Sequence, residues 1–220
     1  MENIENLNKN ISKMPDSYLN SFRKRIYSTI LQSEGEKSED WFCYFVETMG
    51  KIKSSIRIES IKHLEGLNIC NIKSKEELAD FIAQELFCFY NENYTPEQIK
   101  NFSREDRKEF GFLEINEVLS YDFNEAMTEI NIHIPIIPTG DMKETITILI
   151  DGFRELAQKI KSDKEFSSIE KIKGYSWIVY YHRKFIEEKL GFKTESVDEK
   201  LKKATVSISK EEFLIKYGNF

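Results

Sequence analysis

The chain has 220 residues, 40% hydrophobic and 13% aromatic, which is enough apolar material for a substantial core and excludes an intrinsically disordered chain. Lys and Arg number 32 against 38 Asp and Glu, for a net charge of −6 and a pI near 5.4. Phosphate backbones require a basic footprint, so this balance excludes a general nucleic-acid binder.

Residues 15 to 110 carry helical periodicity almost throughout. "PDSYLNSFRKRIYSTILQS" sets Tyr18, Phe22, Ile26 and Ile30 four apart, one apolar stripe. Trp41, Phe42, Phe45 and Met49 continue the pattern, followed by Ile52, Ile56 and Ile58, with Gly50 ending or bending the helix between them. Ser74 with Glu77 forms a capping box in front of Leu78, Ile82, Leu86 and Phe89. Thr95, Pro96 and Gln98 form a second, with proline at the first helical position, where its missing N–H is harmless.

From residue 111 the period shortens. "GFLEINEVLSYDF" alternates with one slip and predicts a strand with a solvated face. In "TEINIHIPIIP", Ile130, Ile132, Ile134 and Ile136 share one face, and Glu129, Asn131 and His133 the other. Pro135 and Pro138 cannot donate to a ladder, which places this strand at an edge or bends it locally. A helix over 141–162 follows, striped by Ile146, Leu149, Ile150, Phe153, Leu156, Ala157 and Ile160. "IEKIKGYSWIVYY" predicts a strand over 169–180 buried on both faces, and "HRKFIEEKL" a helix over 182–190 capped by Gly191. Strands near 192–197 and 203–208 and a final helix, opened by a Ser209–Glu212 box and closed at Gly218, complete the order.

The expected fold is therefore α/β (α+β), a mixed central sheet with flanking helices preceded by an all-helical N-terminal segment. The strand–helix–strand order implies a right-handed crossover and parallel pairing at the sheet's centre. The division is 1–110, mostly helical, and 111–220, α/β, joined in one compact unit with a seam near 91–110.

Chemical motifs are few. No GxSxG, P-loop, GxGxxG or HExxH is present, and three histidines and three cysteines never fall at metal-ligand spacing. Cys43, Cys70 and Cys88 lie in unrelated segments, two of them apolar, and are expected as reduced, buried core cysteines. No apolar run approaches the roughly 18 to 20 residues of a membrane span. "MENIENLNKNISKMPDSY" lacks the basic and apolar regions of a signal peptide, so a soluble, cytoplasmic protein without a membrane partner is expected.

His133 is the first candidate base, because strand ends beside a sheet opening are where α/β ligands bind, and Glu129 shares its face at period two. A solvated strand face accounts for the same residues. His182 starts a helix, where a neutral imidazole is favoured, and serves either as a base or as a surface residue. His63 is a surface or core histidine. The cluster "NSFRKR" reads as a solvated basic face, with an acidic partner or RNA as the other reading.

At "FIEEKLGF" residues 111 to 208 resemble the second half of GCN5-related N-acetyltransferases (GNAT), in which two strands lead to a helix, a strand, a helix ending Leu-Gly-Phe and a terminal strand pair. The resemblance implies acyl-CoA held in a splay between two parallel strands, with its pyrophosphate on the first helix's N-terminus. It makes Ser176, Ile178, Gly140 and Lys143 the cofactor-binding candidates, His133 or Glu129 the base, and Tyr181 or Glu187 the acid. The sequence departs from the family at "IIPTGDMKE", where a glycine-rich phosphate loop has only Gly140 and Asp141 reads as an N-cap. It also departs at Glu187, which stands where the family has a tyrosine, and in the helical first half, which supplies no opening strand. The expected function is an acyl-CoA-dependent transfer to an amine of a small-molecule substrate. The alternative is a non-enzymatic binding or interaction module on the same scaffold, whose aromatic-rich helical half, with Trp41, Phe42, Tyr44 and Phe45 around one turn, docks a partner or a second copy in a homo-oligomer.

Overall fold

A computed structural model describes residues 13–136 and 142–218. Its first half is five helices: α1 (Asp16–Ile30), α2 (Ser38–Met49), α3 (Ser55–Glu65), α4 (Lys75–Asn93) and α5 (Pro96–Glu109). The apolar stripes become one core. Tyr18, Ile26 and Ile30 of α1 pack with Trp41 and Phe45 of α2, with Ile56 and Leu64 of α3, and with Leu78, Ile82, Leu86 and Tyr90 of α4. The Thr95–Gln98 box is reciprocal, each side chain bonded to the other residue's backbone N–H at 3.2 and 2.8 Å. Ser74 accepts from the Glu77 N–H at 3.1 Å, whereas the Glu77 carboxylate takes the N–H of Lys73 at 2.8 Å.

The second half builds a six-stranded sheet from β1 (Leu113–Asn116), β2 (Leu119–Phe123), β3 (Glu129–His133), β4 (Lys171–Ser176), β5 (Lys193–Asp198) and β6 (Lys203–Ser209), in the order β1-β2-β3-β4-β6-β5. Helices α6 (Met142–Ser162), α7 (Trp177–Leu190) and α8 (Lys210–Tyr217) complete it. Among the described residues only β3 and β4 are parallel, joined by the α6 crossover; every other pair is antiparallel. A second core lies on the sheet face carrying Ile130, Ile172, Ala204, Val206 and Ile208, against Leu149, Phe153 and Leu156 of α6, Val179, Ile186 and Leu190 of α7, and Phe213 and Tyr217 of α8. The opposite face bears Glu129, Lys171, Lys173 and Glu195, tied by ion pairs from 3.0 to 3.9 Å. The fold is thus mixed α/β with a helical N-terminal part.

Three sequence expectations change. "GFLEINEVLSYDF" is a hairpin, β1 and β2, because Asn116 Oδ1 accepts from the Val118 N–H at 3.0 Å and closes a turn where the alternation slips. The apolar run after Lys171 is not a strand to residue 180. Ser176 caps a helix, its hydroxyl accepting from the Val179 N–H at 3.2 Å, and Trp177 through Leu190 are helical with a kink at His182. β4 is consequently buried on one face, not two. The strand bearing His133 is interior to the sheet, paired on both sides, and it ends before Pro135.

The cysteines are exposed, not buried. Cys43 and Cys88 each stand two residues from buried positions, Trp41 and Phe45 in α2 and Leu86 and Tyr90 in α4, which turns them about 200° away on a helix of 3.6 residues per turn.

Phe153, fully buried, packs its ring against Phe192, Phe213 and Tyr217 at centroid distances of 5.8, 5.8 and 5.1 Å. Phe153→Ala is expected to destabilise the chain by about 3–5 kcal/mol, through lost transfer energy and the cavity left behind. Urea denaturation measures it, and a loss under about 1 kcal/mol would show that α6 does not anchor this core.

Candidate functional site

Strands β3 and β4 pair from Glu129↔Lys171 to Asn131↔Lys173 and then part. β4 continues on β6 through Ser176↔Ala204. Among the described residues, its edge from Gly174 to Ser176 on the β3 side therefore lacks a strand partner. Pro135 has no N–H to extend the ladder from β3. A cavity of about 240 Å³ occupies the gap, lined by Ile132, His133, Ile134 and Pro135 on one side and Gly174, Tyr175, Ser176 and Trp177 on the other. A smaller one of about 130 Å³ adjoins it, the two sharing Arg25, Arg57, Asp106 and Ile136.

His133 sits at this opening within a polar network. Its Nε2 lies 3.1 Å from Asp122 Oδ2, while Asp122 Oδ1 accepts from Asn131 Nδ2 at 2.7 Å. A carboxylate only accepts, so a neutral His133 carries its proton on Nε2 and keeps Nδ1 as a lone-pair base. The ring stacks on Phe112 at 3.8 Å between centroids, nearly parallel. Burial pushes the His133 pKa below the usual 6.5; Asp122 works against that shift, and Arg107 adds to it. The imidazole is thus held neutral near pH 7 but keeps an oriented partner, which is the arrangement a general base needs.

The other sequence candidates are dispersed. Ser176 and Ile178 line the cavity. Glu129 lies four residues along β3 from His133, about 13 Å away at the usual strand rise, and is paired with Lys173 at 3.2 Å. Tyr181 and Glu187 are exposed on α7 and are not among the lining residues: Lys24 lies over the Tyr181 ring at 4.8 Å, and Glu187 Oε1 accepts from the Thr194 N–H at 3.3 Å. Lys143 is exposed in the first turn of α6, and Gly140 lies outside the described residues with most of "IIPTGDMKE". His182 stands at the α7 kink, its pKa lowered by desolvation and then by Lys24.

Sequence reasoning missed what the helical half contributes. Arg25 of α1, Arg57 of α3, and Asp106 and Arg107 of α5 all line the cavity, with Phe110 and Phe112. The "NSFRKR" cluster, expected as one solvated face, divides: Arg23 pairs with Asp80 at 2.7 Å, Lys24 covers Tyr181, and Arg25 enters the cleft. One of the several basic side chains on each of three helices reaches the cleft, and which one it is stays invisible until their packing is known. Among the described residues no group of three or more His, Cys, Asp or Glu could hold a metal ion, and no helix is long and apolar enough to cross a membrane. No protein-family model, curated protein or solved structure matches the chain.

Asp122 tests the electrostatics of the base. Asp122→Asn removes the two influences that raise the His133 pKa and leaves burial, so an NMR titration should place His133 lower still than in the parent; a value at or above the parent's would overturn the arrangement. The native pKa lies below 6.5 and the unfolded one at 6.5, so the unfolded chain takes up the proton first as pH falls. His133 therefore withdraws stability below pH 6.5, over a wider interval in Asp122→Asn, and urea midpoints at neutral and acidic pH measure the difference.

Proposed function

We propose that the chain is acyltransferase-like, holding an acyl-CoA thioester in the gap between β3 and β4 and passing its acyl group to an amine. The observation that carries this reading is the unpartnered edge of β4 from Gly174 to Ser176 beside a cavity whose other wall presents His133. A thioester arm with amide groups, as acyl-CoA has, can complete such an edge as an added peptide strand does. The order β3-α6-β4-α7-β5-β6, with β6 inserted between β4 and β5, supports the same reading.

In this scheme His133 Nδ1 takes the proton of the acceptor amine, directly or through one water, and the freed nitrogen lone pair attacks the thioester carbonyl carbon. The carbon–sulfur bond breaks as the tetrahedral intermediate collapses, and the departing thiolate takes up a proton. Tyr175 lines the cavity although more than half exposed; partial desolvation followed by Asp198 raises its pKa, so its phenol stays protonated near neutral pH and takes the acid role. Asp122 orients the imidazole and offsets the positive charge it acquires.

Acetyl-CoA at a hundred times its dissociation constant should stabilise the fold by about 2.7 kcal/mol, raising the melting temperature by roughly 5–10 °C for a chain of this size. No shift at millimolar acetyl-CoA would sink the proposal. Where binding is seen, His133→Ala should slow acyl transfer about 10²–10⁴-fold and leave the shift intact; a variant as fast as the parent removes His133 from the chemistry.

A further inference from the structure

Three guanidinium groups face one cleft in a chain of net charge −6. Their only lining counter-charge among the described residues is Asp106, whose Oδ2 accepts from Arg57 Nε at 2.7 Å. Arg107 is 8% exposed; its Nε and Nη2 donate to the Ser103 and Glu117 carbonyls at 3.3 and 3.0 Å, but its Nη1 is buried without a partner. Among the described residues, Arg25 has no ion pair or side-chain hydrogen bond. The residue as a whole is exposed; within the cleft, desolvation and then the like charge of Arg57 lower its pKa, while Tyr18, Asp106 and Tyr90 work against that shift. A buried donor with no acceptor and neighbouring like charges are both unfavourable as they stand, and both are relieved by an anion.

We propose that Arg25, Arg57 and Arg107 form a subsite for the anionic group, carboxylate or phosphate, of a small ligand whose apolar part lies along Phe110, Phe112 and Ile136. Arginine suits this task because its planar fork matches both anions with paired hydrogen bonds. The three come from α1, α3 and α5, so the subsite exists only where the helical half meets the sheet. It stands without the acyl-transfer reading; under that reading it holds the acidic group of the acyl acceptor, with the reacting amine toward His133.

The test titrates the protein with inorganic phosphate and with hexanoate, each against sodium chloride at equal ionic strength, following melting temperature. A saturable rise beyond chloride is expected for at least one, and the anion saturating at lower concentration identifies the group. Arg25→Gln should weaken that response at least tenfold, whereas Arg23→Gln, outside the cleft, should leave it unchanged. A parent that responds to neither anion beyond chloride overturns the subsite, as does an Arg25→Gln response equal to the parent's. The acetyl-CoA result is separate: an anion response without an acetyl-CoA response removes acyl transfer and leaves the subsite, and the reverse removes only the subsite.

Discussion

Everything at the candidate site depends on one interrupted ladder. β3 and β4 are the single parallel pair of the sheet, and their pairing stops at Asn131↔Lys173, while β4 keeps a full antiparallel partner in β6 as far as Ser176. Among the described residues, a strand held on one side and released on the other leaves backbone groups without a ladder partner, and edges of this kind attract another chain or a ligand. β3 itself runs two residues beyond the last pair, to His133, and Pro135 cannot donate to any continuation of it.

That gap would be a slot in a sheet edge without the five N-terminal helices. Their core is separate from the sheet's, yet Ile136, just beyond β3, packs into it. Arg104 pairs with Glu114 at 2.6 Å, Lys100 pairs with Glu117, and Ser28 Oγ donates to the Leu201 carbonyl at 3.2 Å, so polar contacts tie the halves on several sides. The helices roof the gap and bring guanidinium groups into it. An acidic molecule thereby carries a local field of opposite sign, concentrated where protein walls exclude water and charges act most strongly.

Much of the fold was legible along the chain because its signals are local. Four-residue spacing in α1 and α4 gives stripes that can only face inward, and Leu78, Ile82 and Leu86 are fully buried as that spacing requires. Thr95 and Ser209 announce helix starts through their own hydroxyls. The errors came where two local signals competed. In "KGYSWIVYY" the apolar run suggested a strand, but Ser176 could cap a helix, and burial of Val179, Ile186 and Leu190 on one side of α7 decided for the helix. Cys43 and Cys88 have apolar neighbours in sequence, yet helical rotation carries them to the outside.

The sequence by itself determined the change of period at residue 111, the crossover order that makes β3 and β4 parallel, and the apolar stripes of the helices. All of these follow from interactions within a few residues or from chain connectivity. Only the tertiary structure decided that His133 meets Asp122 across a strand pair, that Phe112 stacks on its ring, and that Arg25, Arg57 and Arg107 converge on one cleft. Those residues are separated by up to 108 positions, Arg25 to His133, and a period of 3.6 or 2 carries no information over such a distance. Their meeting is fixed by how the two cores pack together.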